Sequence, residues 1–254
     1  MTTANVINIA FQSVFTKEVC SAKSEEKISP EIKDSANERE LALISDAEIH
    51  KAFNSLEDGK ASGPDDIAVN LLKNCENSLL KPLQIIFNQS FREGIIPELW
   101  RKANVTPIYK KRVKSDPLNY RPASLTCVLC KILEKIIKQR MIDELTNRNW
   151  FTSAQHGLIT NRSTVSNLLE FYDDVTEELD SGHPVDIIFL DLAKAFDSVP
   201  HAKLLIKLKS LHIDSRIVNW IEDYLKNRVQ RVQTRGEKSD WLNVFSGVAY
   251  LRGQ

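Results

Sequence analysis

The apolar run from Val185 to Leu190 ends on a carboxylate, Asp191, and a second acid, Asp197, follows six residues later. A charge at the tip of buried-strand material is costly unless something pairs with it. Two roles suit it. It can act as a hard oxygen ligand of the kind that holds Mg²⁺ in phosphoryl-transfer enzymes, or it can cap the next segment, an interaction worth about 1 kcal/mol. The local residues leave both open. Upstream, Lys110, Lys111, Arg112 and Lys114 crowd a turn at Ser115-Asp116-Pro117. From Arg101 to Arg140, eleven Lys/Arg stand against Asp116 and Glu134, a net of +9 in a chain whose total is zero. Such asymmetry fits a segment that faces a polyanion, with a solvated helix face and a basic loop as the plainer alternative.

Other chemistries are poorly served. Cys127-Val-Leu-Cys130 has the spacing of half a zinc site, but no second ligand pair exists, and buried cysteine on an apolar helix accounts for it better. The histidines at 50, 156, 183, 201 and 212 form no i, i+4 pair and receive no catalytic role. A P-loop is excluded because Gly59-Lys60 runs into Ala61 and Asn54 stands where the first glycine belongs. A phosphatase of the haloacid dehalogenase type needs a second Asp at Ala193.

With 254 residues, 42% hydrophobic and 27% charged, the chain reads as a soluble globular protein of one large or two smaller domains. No apolar run reaches membrane-span length and the N-terminus lacks a signal-peptide pattern, so the expected location is intracellular, in cytoplasm or nucleus. Four cysteines in a reducing compartment imply no disulfide framework.

The elements that must position these residues follow from periodicity. Residues 1–45 read as a polar linker, most plainly "SAKSEEKISPEIKDSANERE". Asp46 opens a helix over Ile49 to Leu56. The apolar spacing from Asn77 to Phe91 predicts a second, ended by Gly94. Extended stretches flank the basic turn. Cys127 to Leu145 and Val165 to Leu179 are amphipathic helices, the second broken by Ser181-Gly182 before a strand over Val185 to Leu190. Two helices follow, around Leu204 to Leu211 and from Arg216 to Leu225, and then a hairpin from Val229 to Thr234 with Trp241 to Phe245. The mixture, without strict βαβ alternation, is α+β.

Taken in order, "KASGPDDI" (60–67), "NYRPASL" (119–125), "QHGLITNRST" (155–164) and "FLDLAKAFDSVPHAKLLIKL" (189–208) resemble the reverse transcriptases of non-LTR (LINE-type) retrotransposons, in their jockey-like branch. "NWIEDYLKNRVQRV" and "SDWLNVFSGV" extend the likeness, which runs from about residue 50 to 248, and "INIAFQSVFT" (7–16) resembles the stretch joining the upstream endonuclease to the polymerase. The resemblance implies a right-hand polymerase: fingers over 46–150, an incomplete palm over 151–254, and no thumb. It implies that Asp191, assisted by the Leu192 carbonyl, binds Mg²⁺ and that Phe196 presses on the sugar of the incoming nucleotide to reject a 2′-OH. It further implies that Arg121 holds the triphosphate, with Lys110 or Lys111 near it. The implied partners are an RNA template, a DNA primer and dNTPs. Asp197 is too far from the metal position and is given a cap or turn role.

The likeness has departures. Leu158, Asn161 and Ala123 stand where the family usually has Phe, Gly and Ile. After "SGV" the family continues with Pro-Gln-Gly, whereas here Ala249 to Gln254 follow, and no Asp-Asp pair lies downstream of Asp191. The expectation is a reverse transcriptase domain fragment without polymerase activity by itself, poorly soluble because its palm strand lacks cover. The alternative is a non-catalytic module that binds nucleic acid through the basic fingers.

Overall fold

The computed structural model describes residues 2–16, 43–159 and 161–248. The polar stretch at 21–40 and the tail at 249–254 lie outside the described residues. The chain forms two compact units, Met1–Met141 with Lys194–Gln254, and Ile142–Ala193.

The larger unit is built on a small mixed sheet. Strands β1 (Lys102–Tyr109) and β2 (Tyr120–Leu125) form the expected hairpin, with Tyr109 opposite Tyr120 and Ile108 opposite Arg121. β3 (Val229–Thr234) lies parallel to β1, with Asn104 beside Arg231 and Val105 beside Val232. The short strands β4 (Glu237–Lys238) and β5 (Leu242–Asn243) both pair antiparallel with β3. The expected hairpin thus exists as a β3 ribbon with two short partners.

Inside the stretch read as linker, Thr3–Gln12 is a helix, α1. Ala4, Ile7 and Phe11 recur at helical spacing and bury against Val105, Val232 and Tyr120 on one face of the sheet. Asn8 sits in the same contact, only 1% exposed. Its amide donates to Ser239 Oγ at 2.9 Å and to the Asp240 carbonyl at 3.0 Å, and its Oδ1 accepts from Gln230 Nε2 at 3.1 Å. A buried amide with every polar atom engaged is tolerated, and it fixes the register of α1 on β3.

A helical layer makes the second core. It comprises α2 (Asp46–Asn54), α3 (Val69–Asn74), α4 (Glu76–Glu93), α5 (Val128–Asn147), α7 (His201–Ser210) and α8 (Ser215–Leu225), with α6 (Thr164–Asp180) in the smaller unit. A capping box of Ser45 and Glu48 starts α2, and Arg140 on α5 pairs with Glu48 at 2.7 Å. Gly94 ends α4 in the left-handed conformation, as its position predicts. Phe53, Phe87, Ile132, Ile217, Trp220 and Tyr224 fill the interior. The Trp220 indole N–H donates to Ser90 Oγ at 3.2 Å, and Tyr224 Oη donates to Glu134 Oε1 at 2.6 Å. Burial raises the Glu134 carboxyl above the ordinary carboxylate range.

Within "KASGPDDI" the essential residue is Gly63. A Cβ there would sit 2.5 Å from the backbone C and O of Thr126 and 2.6 Å from the Cys127 nitrogen. Neither backbone group can move without shifting the start of α5, so Gly63→Ala costs on the order of 1–3 kcal/mol. The check is the denaturant midpoint of the purified variant, and an unchanged midpoint contradicts the close approach.

The smaller unit holds α6, opened by a Ser163–Ser166 capping box and ended at Ser181. One sequence expectation is overturned here. Residues 183–190 form no strand, and among the described residues none joins them in a β-ladder. A strand is defined by a neighbour that accepts its N–H and C=O ladder, which β-propensity cannot supply. Ile188, Phe189 and Leu190 are 83%, 84% and 91% exposed. The stripe expected on α6 is also exposed at Leu168, Leu169, Tyr172 and Leu179.

Candidate nucleic-acid interface

The basic turn between β1 and β2 is constructed rather than loose. Tyr109 Oη donates to the Arg112 carbonyl, Tyr120 Oη donates to the Lys114 carbonyl at 2.9 Å, and Asn119 Nδ2 donates to the Val113 carbonyl at 2.9 Å. Asp116 accepts from the Leu118 N–H at 2.9 Å, and the Lys110 N–H donates to the Asn119 carbonyl at 3.0 Å. The Tyr109 and Tyr120 rings meet edge to face at 5.6 Å, and the Lys114 ammonium lies 5.5 Å from the Tyr109 centroid. These contacts satisfy the turn's carbonyls from below, so Lys110, Lys111, Arg112 and Lys114 remain exposed. Arg121, exposed on β2 one pair from the turn, shares the hairpin with them. The structure therefore brings Lys110, Lys111 and Arg121 onto one element.

Phe196 belongs to the same unit, 38% exposed at the edge of a turn that knits three sequence motifs together. The Val248 N–H donates to the Phe196 carbonyl at 2.8 Å and the Gly247 N–H to the Val199 carbonyl at 2.9 Å. Ser246 Oγ donates to the Asp197 carbonyl at 2.8 Å, and it accepts from the Thr16 N–H at 2.9 Å. Thr16 Oγ1 also donates to the Ser198 carbonyl at 2.8 Å. "FDSVP", "SGV" and the end of "INIAFQSVFT" are thus one locus. Asp197 lies in its turn. Reading the sequence in segments misses Thr16, because nothing local marks a threonine beyond the end of α1 as a strut for a residue 182 positions away.

Asp191 and Leu192 lie in the smaller unit, both exposed. The burial that would make an unpaired Asp191 costly is therefore absent. Asp191 takes no hydrogen bond or ion pair among the described residues. Nor do three His, Cys, Asp or Glu side chains converge anywhere among them as a metal-holding group. A pair of Mg²⁺ ions needs several oxygen ligands, so the described residues do not fit that group by themselves.

"QHGL…NRST" works as a clasp on α6. Buried His156 places Nδ1 2.9 Å from Ser166 Oγ and Nε2 2.8 Å from Glu170 Oε2. The Arg162 guanidinium donates to the carbonyls of Thr152, Ser153 and Gln155. The cysteines of the abandoned zinc reading are buried. Burial, then the nearby Asp65 carboxylate, pushes the Cys127 thiol up to about 12, and burial holds Cys130 well above its ordinary value. No helix among the described residues is long and apolar enough to cross a membrane.

The larger unit is a mixed α/β domain that carries an exposed, internally hydrogen-bonded basic hairpin. A family model described as reverse transcriptase (RNA-dependent DNA polymerase) matches residues 108–249, and the chain belongs to that family. It is 29% identical over 193 residues to the probable RNA-directed DNA polymerase from transposon BS of Drosophila melanogaster, covering 76% of this chain and 21% of that protein. Over 209 residues it is 27% identical to the RNA-directed DNA polymerase from mobile element jockey of the same organism, covering 82% and 23%. Over 190 residues it is 27% identical to the probable polymerase from transposon X-element, covering 74% and 21%. The chain spans about a fifth of the length of the curated relatives it matches. The non-LTR resemblance drawn from the motifs and the reverse transcriptase reading stand.

Proposed function

We propose that these residues form the fingers and the first part of the palm of an RNA-directed DNA polymerase of a mobile element. The fingers are centred on the β1–β2 hairpin, and residues 151 onward begin the palm. The hairpin carries the reading: it gathers four exposed cations on one turn, of which Lys114 also lies over the Tyr109 ring, and a phosphate backbone is the matching partner. Arg121 holds the triphosphate of a dNTP, because a guanidinium fork matches phosphate oxygens in two places at once. Lys110 and Lys111 add positive charge beside it. Phe196, whose carbonyl accepts from the Val248 N–H, lies against the sugar and discriminates deoxyribose from ribose. Asp191 and the Leu192 carbonyl are one contribution to a Mg²⁺ site whose remaining ligands are not among the described residues. Template RNA and primer DNA run along the basic hairpin.

The test is equilibrium binding of the full chain to a single-stranded RNA across a salt series. The Lys110→Ala/Lys111→Ala/Arg112→Ala variant reduces the log–log salt slope by about 2, because each lost phosphate contact on a single strand removes about 0.7. It also binds at least about tenfold more weakly at low salt. No binding by the unaltered chain at low salt contradicts the reading.

A further inference from the structure

The face of the sheet turned away from α1 carries a second feature. Val105 and Val232 point toward α1, so Asn104, Thr106 and Ile108, which alternate with Val105 along β1, point to the other side. The pairing carries Arg121 beside Ile108 and Arg231 beside Asn104, which places both arginines on that same side. β5 extends the row. With Gln230 opposite Leu242, the next pair in register is Arg231 and Trp241, and the Arg231 guanidinium lies 4.4 Å from the centroid of the Trp241 ring. From the other flank, Arg231 Nε donates to Asn104 Oδ1 at 2.8 Å, where Asn104 is 3% exposed. Trp241 itself is 37% exposed. The result is a guanidinium held 4.4 Å from an indole centroid and anchored by Asn104, beside a ring that stays 37% exposed.

We infer that the Arg231–Trp241 plate is a base-stacking platform for single-stranded nucleic acid, continuing the surface that begins at Arg121 and the basic turn. Three observations carry it. The plate is preorganised, so little side-chain freedom is lost when a base stacks on it. Every charged side chain that the strands place on this face is basic, namely Lys102, Arg121, Arg231 and Lys238, while Glu237 pairs with Thr234 on the opposite side. The distance also suits a polynucleotide. Asn104 and Ile108 are four residues apart, roughly 13 Å along the strand, which is about four stacked nucleotides at 3.4 Å each. A positively charged track ending in an exposed ring is how proteins hold single strands without reading sequence. This platform rests on the nucleic-acid reading above and adds to it a site on β3 and β5, away from the hairpin.

The experiment uses the full chain, a fluorescein-labelled 20-nucleotide oligouridylate and anisotropy over a salt series. Trp241→Ala binds about tenfold more weakly, the usual cost of losing one stacking ring. Its salt slope stays at the unaltered value because no phosphate contact is lost, and Trp241→Phe recovers most of the affinity. The hairpin triple variant shows the opposite pattern, with a reduced slope. If Trp241→Ala binds like the unaltered chain while the triple variant loses binding, the platform is wrong and the hairpin reading survives. If Trp241→Phe is as weak as Trp241→Ala, the ring is not stacking on a base and the platform is again wrong. If the unaltered chain does not bind at all, both readings fall.

Discussion

Given a primed RNA template, dNTPs and Mg²⁺, the 254-residue polypeptide leaves the primer unextended. Phosphoryl transfer asks little covalent chemistry of the protein. Nearly all the rate comes from positioning and from neutralising charge on the transferred group. Where two metal ions do that work, they must be held a few ångströms apart by several oxygen ligands. Among the described residues Asp191 is the one carboxylate that the family likeness places there, no cluster of metal ligands forms around it, and one carboxylate cannot supply several ligands. The loss is therefore complete rather than graded. Denaturing gels of extension reactions give the answer. A product that appears with the unaltered chain and vanishes in Asp191→Ala contradicts this expectation.

The second large effect concerns solubility. Ile188, Phe189 and Leu190 form an exposed apolar run outside any strand ladder among the described residues, and the apolar stripe of α6 is exposed in the same unit. A segment of high β-propensity with open N–H and C=O groups is a template for pairing with another chain, and exposed patches of this kind promote association. The purified polypeptide accordingly elutes from size exclusion largely as aggregate. Ile188→Ser with Leu190→Lys shifts most of it to the monomer position, because a charge in the run breaks strand-to-strand stacking. A monodisperse, cooperatively melting monomer without these substitutions contradicts the argument.

Much of the fold was legible because helices announce themselves locally. The stripe of Leu83, Phe87 and Phe91 with Gly94 behind it, and that of Ile217, Trp220, Ile221 and Tyr224, each contain their own evidence in under twenty residues. Strand pairing does not. The β1–β3 contact joins Asn104 to Arg231, and no local pattern reveals a parallel partner that far along the chain. The same limit explains the strand expected at 185–190: apolar alternation shows that a segment suits a sheet, not that a neighbour is present. α1 was hidden for another reason. Its anchor is Asn8, a residue whose type suggests surface, and its burial makes sense only once Ser239 and Gln230 are seen around it. The basic run from Lys110 to Lys114 and its turn were legible in order, while the struts at Thr16, Ser246 and Asn119 emerged only from geometry.

As a polymerase metal ligand, Asp191 requires partner carboxylates, and none converge with it among the described residues. Sequencing the gene past the codon for Gln254, read in all three frames, tests this most directly. The predicted result is a Pro-Gln-Gly segment followed by an aromatic residue, one spacer and an Asp-Asp pair. A long downstream sequence without any of these in any frame would leave Asp191 with no partners and contradict its assignment to the metal site.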